Sequence, residues 1–195
     1  ANSFYVYQQV YDKDGKPIEG QYVDRNGDGQ VNENDKYFYK KPAADVTMGF
    51  TSKLIYKNWD LSFSLRANIN NYVYNNVASF NAPIGEGWVN NKGYLSNRPF
   101  SAFDTNFQDM NVLSDYYVQN ASFLRCDNIT LGYTFKKLFK AIDGRVYGTV
   151  QNPFVITKYK GLDPEVANAT DKTFGIDKNV YPRPLVGIIG LSLNF

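Results

Sequence analysis

Along the stretch 181–195, YPRPLVGIIGLSLNF, hydrophobic and polar positions alternate from Gly187 onward. Gly187, Ile189, Leu191, Leu193 and Phe195 fall on one face; Ile188, Gly190, Ser192 and Asn194 fall on the other. A period of two places successive side chains on opposite faces of a β-strand. One face is apolar and closes on an aromatic ring, while the other is small and increasingly polar. A barrel with lipid outside and water inside produces this pattern, with the last ring at the membrane interface. A soluble β-sandwich strand alternates as well.

The same period recurs upstream. In 61–74, LSFSLRANINNYVY, Leu61, Phe63, Leu65, Ala67 and Ile69 oppose Ser62, Ser64, Arg66, Asn68 and Asn70. An arginine and two asparagines on the inner face suit a solvated lumen better than a dry sandwich core. Residues 45–57 keep Val46, Met48, Phe50, Leu54 and Tyr56 in phase. Residues 122–136 set Ile129, Leu131, Tyr133 and Phe135 against Asn128, Thr130, Gly132 and Thr134. A strand is also predicted over 3–11, rich in Tyr, Val and Phe, and another over 145–158. The latter has no assignable face, and Pro153 predicts a bend in it.

The connections between these strands run long (12–44), short (58–60, taken as a tight turn), long (75–120), short (137–144) and long (160–181). In an up-and-down barrel odd and even connections lie on opposite rims, so long external loops alternate with short periplasmic turns. A sandwich has no reason to sort lengths by parity. The predicted fold is all-β: the C-terminal strands of a large antiparallel transmembrane β-barrel with long extracellular loops. About six strands are too few to close around a polar lumen. The chain is therefore expected to assemble with copies of itself or to be part of a larger barrel. Ala1 is not preceded by a basic, apolar leader, so an export signal is expected upstream.

Composition narrows the function. Sixteen Tyr and fourteen Phe suit strands and interfacial girdles. A net charge of +2 argues against nucleic acid as a partner. Histidine is absent, which removes His-dependent triads and His-ligated metal sites. The single cysteine, Cys126, forbids an internal disulfide and reads as a wall residue. Asp163 and Glu165 lie in a polar loop with nothing to raise a pKa, so an acid pair is not indicated and the chain is not read as an enzyme. Trp88, Tyr94, Tyr116 and Tyr117 lie in the longest loop, as sugar-stacking rings or as the loop's own small core. Gly187 and Gly190 are expected to relieve curvature or permit close packing.

One motif carries ligand chemistry. Residues 24–35, DRNGDGQVNEND, have the spacing of a calcium loop. Asp24, Asn26 and Asp28 occupy the first, third and fifth positions, Gly29 the sharp turn, Gln30 offers its carbonyl, and Asn32 and Asp35 complete the set. Oxygen-only ligands suit a hard cation, here calcium in a structural role. The twelfth position is Asp35 rather than Glu, which favours weaker ligation. A solvated Asn/Asp/Gly turn is the other reading.

Several runs together resemble the C-terminal end of SusC/RagA-type TonB-dependent transporters. They are NASFLRCDNITLGYTF (120–135), VQNPFVITKYKGLDPEV (150–166) and GIDKNVYPRPLVGIIGLSLNF (175–195), with VDRNGDGQVNENDK and YKNWDLSFSLRA (56–67) ahead of them. Cys126 and Asp127 stand where the family commonly has an apolar or basic residue. The resemblance implies a plugged barrel of roughly 22 strands, with plug and TonB box upstream of Ala1. It further implies a Gram-negative, Bacteroidetes-like outer membrane and import of oligomeric nutrients, glycans first and peptides second. A SusD-like surface lipoprotein, the TonB complex, the oligosaccharide or peptide substrate and outer-membrane lipid would be the partners. By the same resemblance Phe195 is the signal read by the barrel-assembly machinery. A secreted soluble β-domain that binds carbohydrate with a structural calcium is the alternative of a different class.

Overall fold

The computed structural model describes residues 3–85, 99–109, 113–138, 142–166 and 173–194. The strands are β1 (Phe4–Val6), β2 (Gln9–Tyr11), β3 (Pro17–Tyr22), β4 (Tyr37–Tyr39), β5 (Val46–Tyr56), β6 (Trp59–Ile69), β7 (Tyr72–Tyr74), β8 (Val118–Asn120), β9 (Phe123–Leu138), β10 (Ile142–Thr157) and β11 (Val186–Asn194). Two short helices, α1 (Asn76–Asn81) and α2 (Ala102–Thr105), and two single 3-10 turns complete the described elements. No helix among the described residues is long and apolar enough to cross a membrane. The chain divides into two compact units.

One unit holds 45–69, 122–158 and 182–195 and is a single antiparallel sheet in the order β11-β10-β9-β6-β5. Its register aligns side chains into rows. Leu54, Leu61, Leu131, Gly148 and Ile189 form one row across all five strands, and Tyr56, Trp59, Tyr133, Val146 and Leu191 form the next on the same face. Between them on the opposite face lies Ile55, Asp60, Gly132, Tyr147 and Gly190, followed by Lys53, Ser62, Thr130, Thr149 and Ile188, then Thr51, Ser64, Asn128, Gln151 and Val186. The apolar face leaves large side chains uncovered: Phe50, Leu54, Leu131 and Leu191 are all more than half exposed or at half. A contiguous apolar surface of this size is stable only against lipid or a partner surface. The aromatic row Tyr56–Trp59–Tyr133, with Trp59 and Tyr133 rings 4.8 Å apart, lies at the hairpin end of the sheet, where an interfacial girdle belongs.

The β5–β6 hairpin closes on the Tyr56–Trp59 pair, so its loop is Lys57–Asn58 and Trp59 belongs to the strand rather than to the turn. Lys57 takes a left-handed φ of 54° to make that two-residue reversal. β9 and β10 also connect shortly at this end. β6 to β9 and β10 to β11 are joined by long connections, so the predicted parity of long and short connections is present in the sheet.

The other unit holds Ala1–Ala44, Asn70–Ala121 and Tyr159–Tyr181, that is, the long connections and the N-terminal stretch. Residues 3–11, expected as one strand, form instead two three-residue strands: β1 pairs with β4 and β2 with β3, outside the main sheet. Likewise the run 61–74 is cut by Asn70 at φ 61°, and β7 pairs with β8. A core of Phe4, Val6, Tyr74, Ala78, Tyr117 and Val118 holds this unit, and a second cluster joins Val73, Ala121, Tyr159 and Val166. The long stretch 75–120 therefore carries α1, α2 and β8, none of which its composition announced.

Candidate functional site: the polar face of the sheet and the Asp/Asn loop

Two bidentate ion pairs mark the polar face. Arg145 on β10 donates from Nε to Asp60 Oδ1 at 2.9 Å and from NH2 to Asp60 Oδ2 at 2.6 Å. Asp60 is on β6, so the pair reaches over the intervening strand β9 at Gly132. A Cβ on Gly132 would run into both the guanidinium and the carboxylate, so only glycine leaves room for the clamp. The Tyr147 ring lies over Gly190 in the same way and carries the Arg145 guanidinium 4.8 Å from its centre. For Gly190 this bears out close packing; a Cβ on Gly187 would meet open space.

The second pair joins Arg66 on β6 to Asp127 on β9, Nε to Oδ2 at 2.6 Å and NH2 to Oδ1 at 2.9 Å. Here the register slips twice. Asp127 is an extra residue between the Ser64–Asn128 and Leu65–Cys126 pairs. Asn152 and Pro153 together face Asp127 across the next ladder, between the Gln151–Asn128 and Phe154–Cys126 pairs. A bulge bends its strand and re-aims its side chains. The bend predicted at Pro153 is this bulge; β10 keeps one phase, with Val146 and Val150 before it on the same face as Phe154 and Ile156 after it, and the phase change falls on β9, from Ile129 and Leu131 to Cys126 and Leu124. Arg66, Asp127, Asn128, Gln151, Asn152 and Arg183 line a concavity of about 340 Å³ at this level. Cys126 is fully buried in the wall and its Sγ donates to the Asn128 carbonyl at 3.5 Å.

The Asp/Asn loop lies in the other unit and is folded by its own acceptors. Asp24 accepts the amides of Gly27 and Gly29, at 2.7 and 2.8 Å. Asp35, fully buried, accepts those of Arg25 and Asn32 at 2.8 Å and of Asn26 at 3.3 Å. Asp28 accepts from the Gln30 amide and the Asn26 side chain, and Asn32 from the Asn34 amide. Gly29 sits at φ +83°, the turn its place in the motif predicts. These bonds, the Asn32 amide foremost, hold the Asp35 carboxyl below the usual carboxylate range. The acidic oxygens face backbone amides, and no cluster of three metal-holding side chains forms among the described residues. A cation would share carboxylate lone pairs that already accept these amides.

In the long loop, Tyr117 is buried and packs edge-on against Tyr116, 5.1 Å away, and against Tyr74 at 6.2 Å; these rings make the unit's core. Trp88 and Tyr94 lie outside the described residues, as does Phe195. Phe100, Phe103 and Leu162 line a cavity of about 590 Å³ beside the Lys160–Asp104 ion pair. Asp163 accepts the Glu165 amide at 2.9 Å and serves a turn. Sequence reasoning missed both ion pairs, since each joins residues far apart in the chain; the one signal was a lone charge of each sign on an otherwise small, polar strand face.

No protein-family model matches the chain. Over its full length it is 56% identical to the TonB-dependent receptor SusC of Bacteroides thetaiotaomicron, of which it covers 19%. It is 27% identical over 89% of its length to the TonB-dependent receptor P3 of Formosa agariphila, again covering 19%. Among solved structures, all of the chain superposes on 23% of a chain of the RagAB peptide transporter, with a TM-score of 0.73 at 25% identity. The RagAB peptide importer in its open-open state gives the same score at 27% identity, over 22% of that chain. The chain thus spans about a fifth of the length of the relatives it matches. With a lipid-suited apolar face, a polar opposite face and long connections at one end of an unclosed sheet, the chain is a segment of the barrel of a TonB-dependent outer-membrane receptor of the SusC/RagA type.

Proposed function

We propose that the whole receptor imports oligomeric nutrients, glycans first, across the outer membrane at the expense of TonB-supplied energy, and that this segment forms passage wall and external loops. The observation that carries the reading is full-length identity of 56% to a TonB-dependent receptor, joined to a sheet with one face for lipid and one for water. The polar face offers hydroxyls, amides and fixed ion pairs, which suit a hydroxyl-rich cargo. Peptides are the second reading, favoured by the structural neighbours, which are a peptide transporter and a peptide importer. A SusD-like lipoprotein partner at the external loops follows from the same kinship. The exposed apolar face disfavours the soluble carbohydrate-binding module.

Calcium is proposed for residues 24–35, supported by ligand spacing and by the left-handed Gly29. Because the loop is already closed by its own bonds, the ion would tighten it rather than fold it. Calorimetric titration of calcium into the full receptor tests this: heat that vanishes in Asp28→Ala supports a site, and identical traces sink it.

For import, labelled oligosaccharide and labelled peptide are offered to cells carrying the full receptor, with and without functional TonB. TonB-dependent accumulation of the oligosaccharide is expected. Accumulation of neither, or accumulation indifferent to TonB, would overturn the reading.

A further inference from the structure

The cavity of about 590 Å³ beside the Lys160–Asp104 ion pair combines a buried polar floor with an exposed apolar rim, and all its described lining residues belong to the loop unit. Asn75 and Asp177 make the floor, 3% and 4% exposed. They are neighbours, because the Asp177 amide donates to the carbonyl of Tyr74 at 3.0 Å. Asn75 uses its Oδ1 to cap α1, accepting the Ala78 amide at 2.9 Å, and its Nδ2 has no partner among the described residues. A buried donor left unpaired is costly, so it marks a place where an acceptor from outside the chain belongs. The Asp177 carboxylate accepts from Tyr159 Oη and from the amides of Asn179 and Val180. A carboxylate has about four acceptor sites, so one stays open beside the unpaired donor. Asn179, left-handed at φ 67°, adds its own side chain to the lining.

The rim is apolar and open. Phe100 and Phe103 are 89% and 77% exposed, with ring centres 6.0 Å apart, and Leu162 is exposed beside them. Rings this open contribute nothing to the core of the unit, which is built from Phe4, Val6, Tyr74, Ala78, Tyr117 and Val118. The Lys160–Asp104 bond at 2.9 Å ties α2, which carries Phe103, to the segment that carries Leu162, so the two sides of the rim are held together. A concavity of this size, with apolar walls and a few polar groups, has the form of a small-ligand pocket. Among the described lining residues two carboxylates, Asp104 and Asp177, stand against the one ammonium of Lys160, which disfavours an acidic ligand. The described lining comes from helices and connections and includes no strand, so an extended peptide finds no edge there to pair with.

We propose that this cavity is a subsite for one neutral pyranose ring of the cargo: Phe100 and Phe103 receive its C–H face, and Asn75 Nδ2, the Asp177 carboxylate and the Asn179 amide take its hydroxyls. The C–H bonds of a sugar ring carry partial positive charge, which suits the negative face of an aromatic ring. A hydroxyl donates and accepts at once, which matches an open acceptor next to an unpaired donor. The subsite rests on the import reading for what delivers the sugar, and it narrows the cargo to uncharged hexose oligomers.

The test is calorimetric titration of the purified full-length receptor in detergent with maltohexaose, cellohexaose, mannohexaose, hexagalacturonate and hexaalanine. Wild type is compared with Phe103→Ala, with Asn179→Gly, which keeps the left-handed backbone, and with Phe38→Ala, an exposed ring of the same unit outside the cavity. At least one neutral hexamer is expected to bind wild type and Phe38→Ala alike. Phe103→Ala should weaken that binding about tenfold or more, and Asn179→Gly should weaken it too, both with ligand-free unfolding midpoints at the wild-type value. Failure of every neutral hexamer to bind wild type overturns the subsite, as does equal binding by Phe103→Ala. A lowered ligand-free midpoint in Phe103→Ala with unchanged affinity assigns the ring to packing against the rest of the receptor and overturns it as well. Binding of hexaalanine alone, lost in Phe103→Ala, gives the cavity to peptides and likewise refutes a sugar site. TonB-dependent uptake is measured separately in cells: a failed subsite leaves that uptake in place, whereas binding without TonB-dependent uptake strikes the import reading alone.

Discussion

Replacing Gly132 by alanine should destabilise the barrel wall, although a glycine in a strand interior ordinarily weakens it. Gly→Ala in a strand gains about 0.5–1 kcal/mol where the added methyl has room. At Gly132 it has none: the Cβ would meet the Arg145 guanidinium and the Asp60 carboxylate. The Asp60–Arg145 clamp has side chains 13% and 34% exposed, so its two charge-assisted bonds are partly screened and together contribute about 1–2 kcal/mol. Losing the clamp, with some strain from overpacking, outweighs the backbone gain and leaves a net cost of about 1–2 kcal/mol. Gly49 provides the control, because on β5 a Cβ there meets nothing within 4 Å. Gly49→Ala should be neutral or stabilise by up to about 0.5–1 kcal/mol. Denaturant unfolding of the full receptor in detergent measures both. Arg145→Gln should cost less in the Gly132→Ala background than in wild type, a coupling of about 1 kcal/mol. If Gly132→Ala behaves like Gly49→Ala, or the two changes add without coupling, the clamp does not hold the strands.

Three further outcomes follow from the loops and the terminus. Tyr159 Oη donates to the buried Asp177 carboxylate at 2.6 Å, and burial with that charge pushes the phenol far above its usual pKa. Tyr159→Phe should cost about 1.5–3 kcal/mol locally and speed hydrogen exchange at the Asn179 and Val180 amides, which the same carboxylate accepts. The Asp35 pKa is depressed, so its contribution to the 24–35 loop is complete above about pH 4 and lost as pH falls through the folded value. Exchange at the Arg25 and Asn32 amides should quicken only on acidification, and a loop indifferent to pH would contradict this. Phe195→Ser should lower outer-membrane levels more than Leu191→Ser does, if the terminal ring is read during assembly; the reverse order would make the ring ordinary packing.

The sequence made the main sheet legible wherever strict alternation survives, as in Leu61 to Ile69, Ile129 to Phe135 and Gly187 to Asn194. It failed where a local residue breaks the period. The extra residue Asp127 moves the apolar phase of β9 from Ile129 to Cys126 and Leu124, and Asn70 in a left-handed turn cut β7 from β6. The Tyr- and Val-rich run 3–11 has strand propensity, but its partners β3 and β4 come from the loop unit rather than from the wall. Asp24 to Asp35 showed its acceptors in the sequence, yet not that backbone amides would take them. The Asp60–Gly132–Arg145 clamp was invisible because it needs three strands in register, and register is a tertiary fact.

The central claim, that one face of this sheet meets lipid and the other water, is tested most directly by placing the same charge on each. Leu65 lies on the apolar face between Phe50 and Cys126, and Thr51 on the polar face opposite Ser64. Arginine facing lipid near the midplane costs about 2–4 kcal/mol, whereas lumen positions tolerate it. The amount of folded, heat-modifiable receptor in outer membranes, with its denaturant midpoint, should fall sharply for Leu65→Arg and stay near wild type for Thr51→Arg. Equal behaviour of the two variants, or the greater loss at Thr51, would contradict the assignment of the faces.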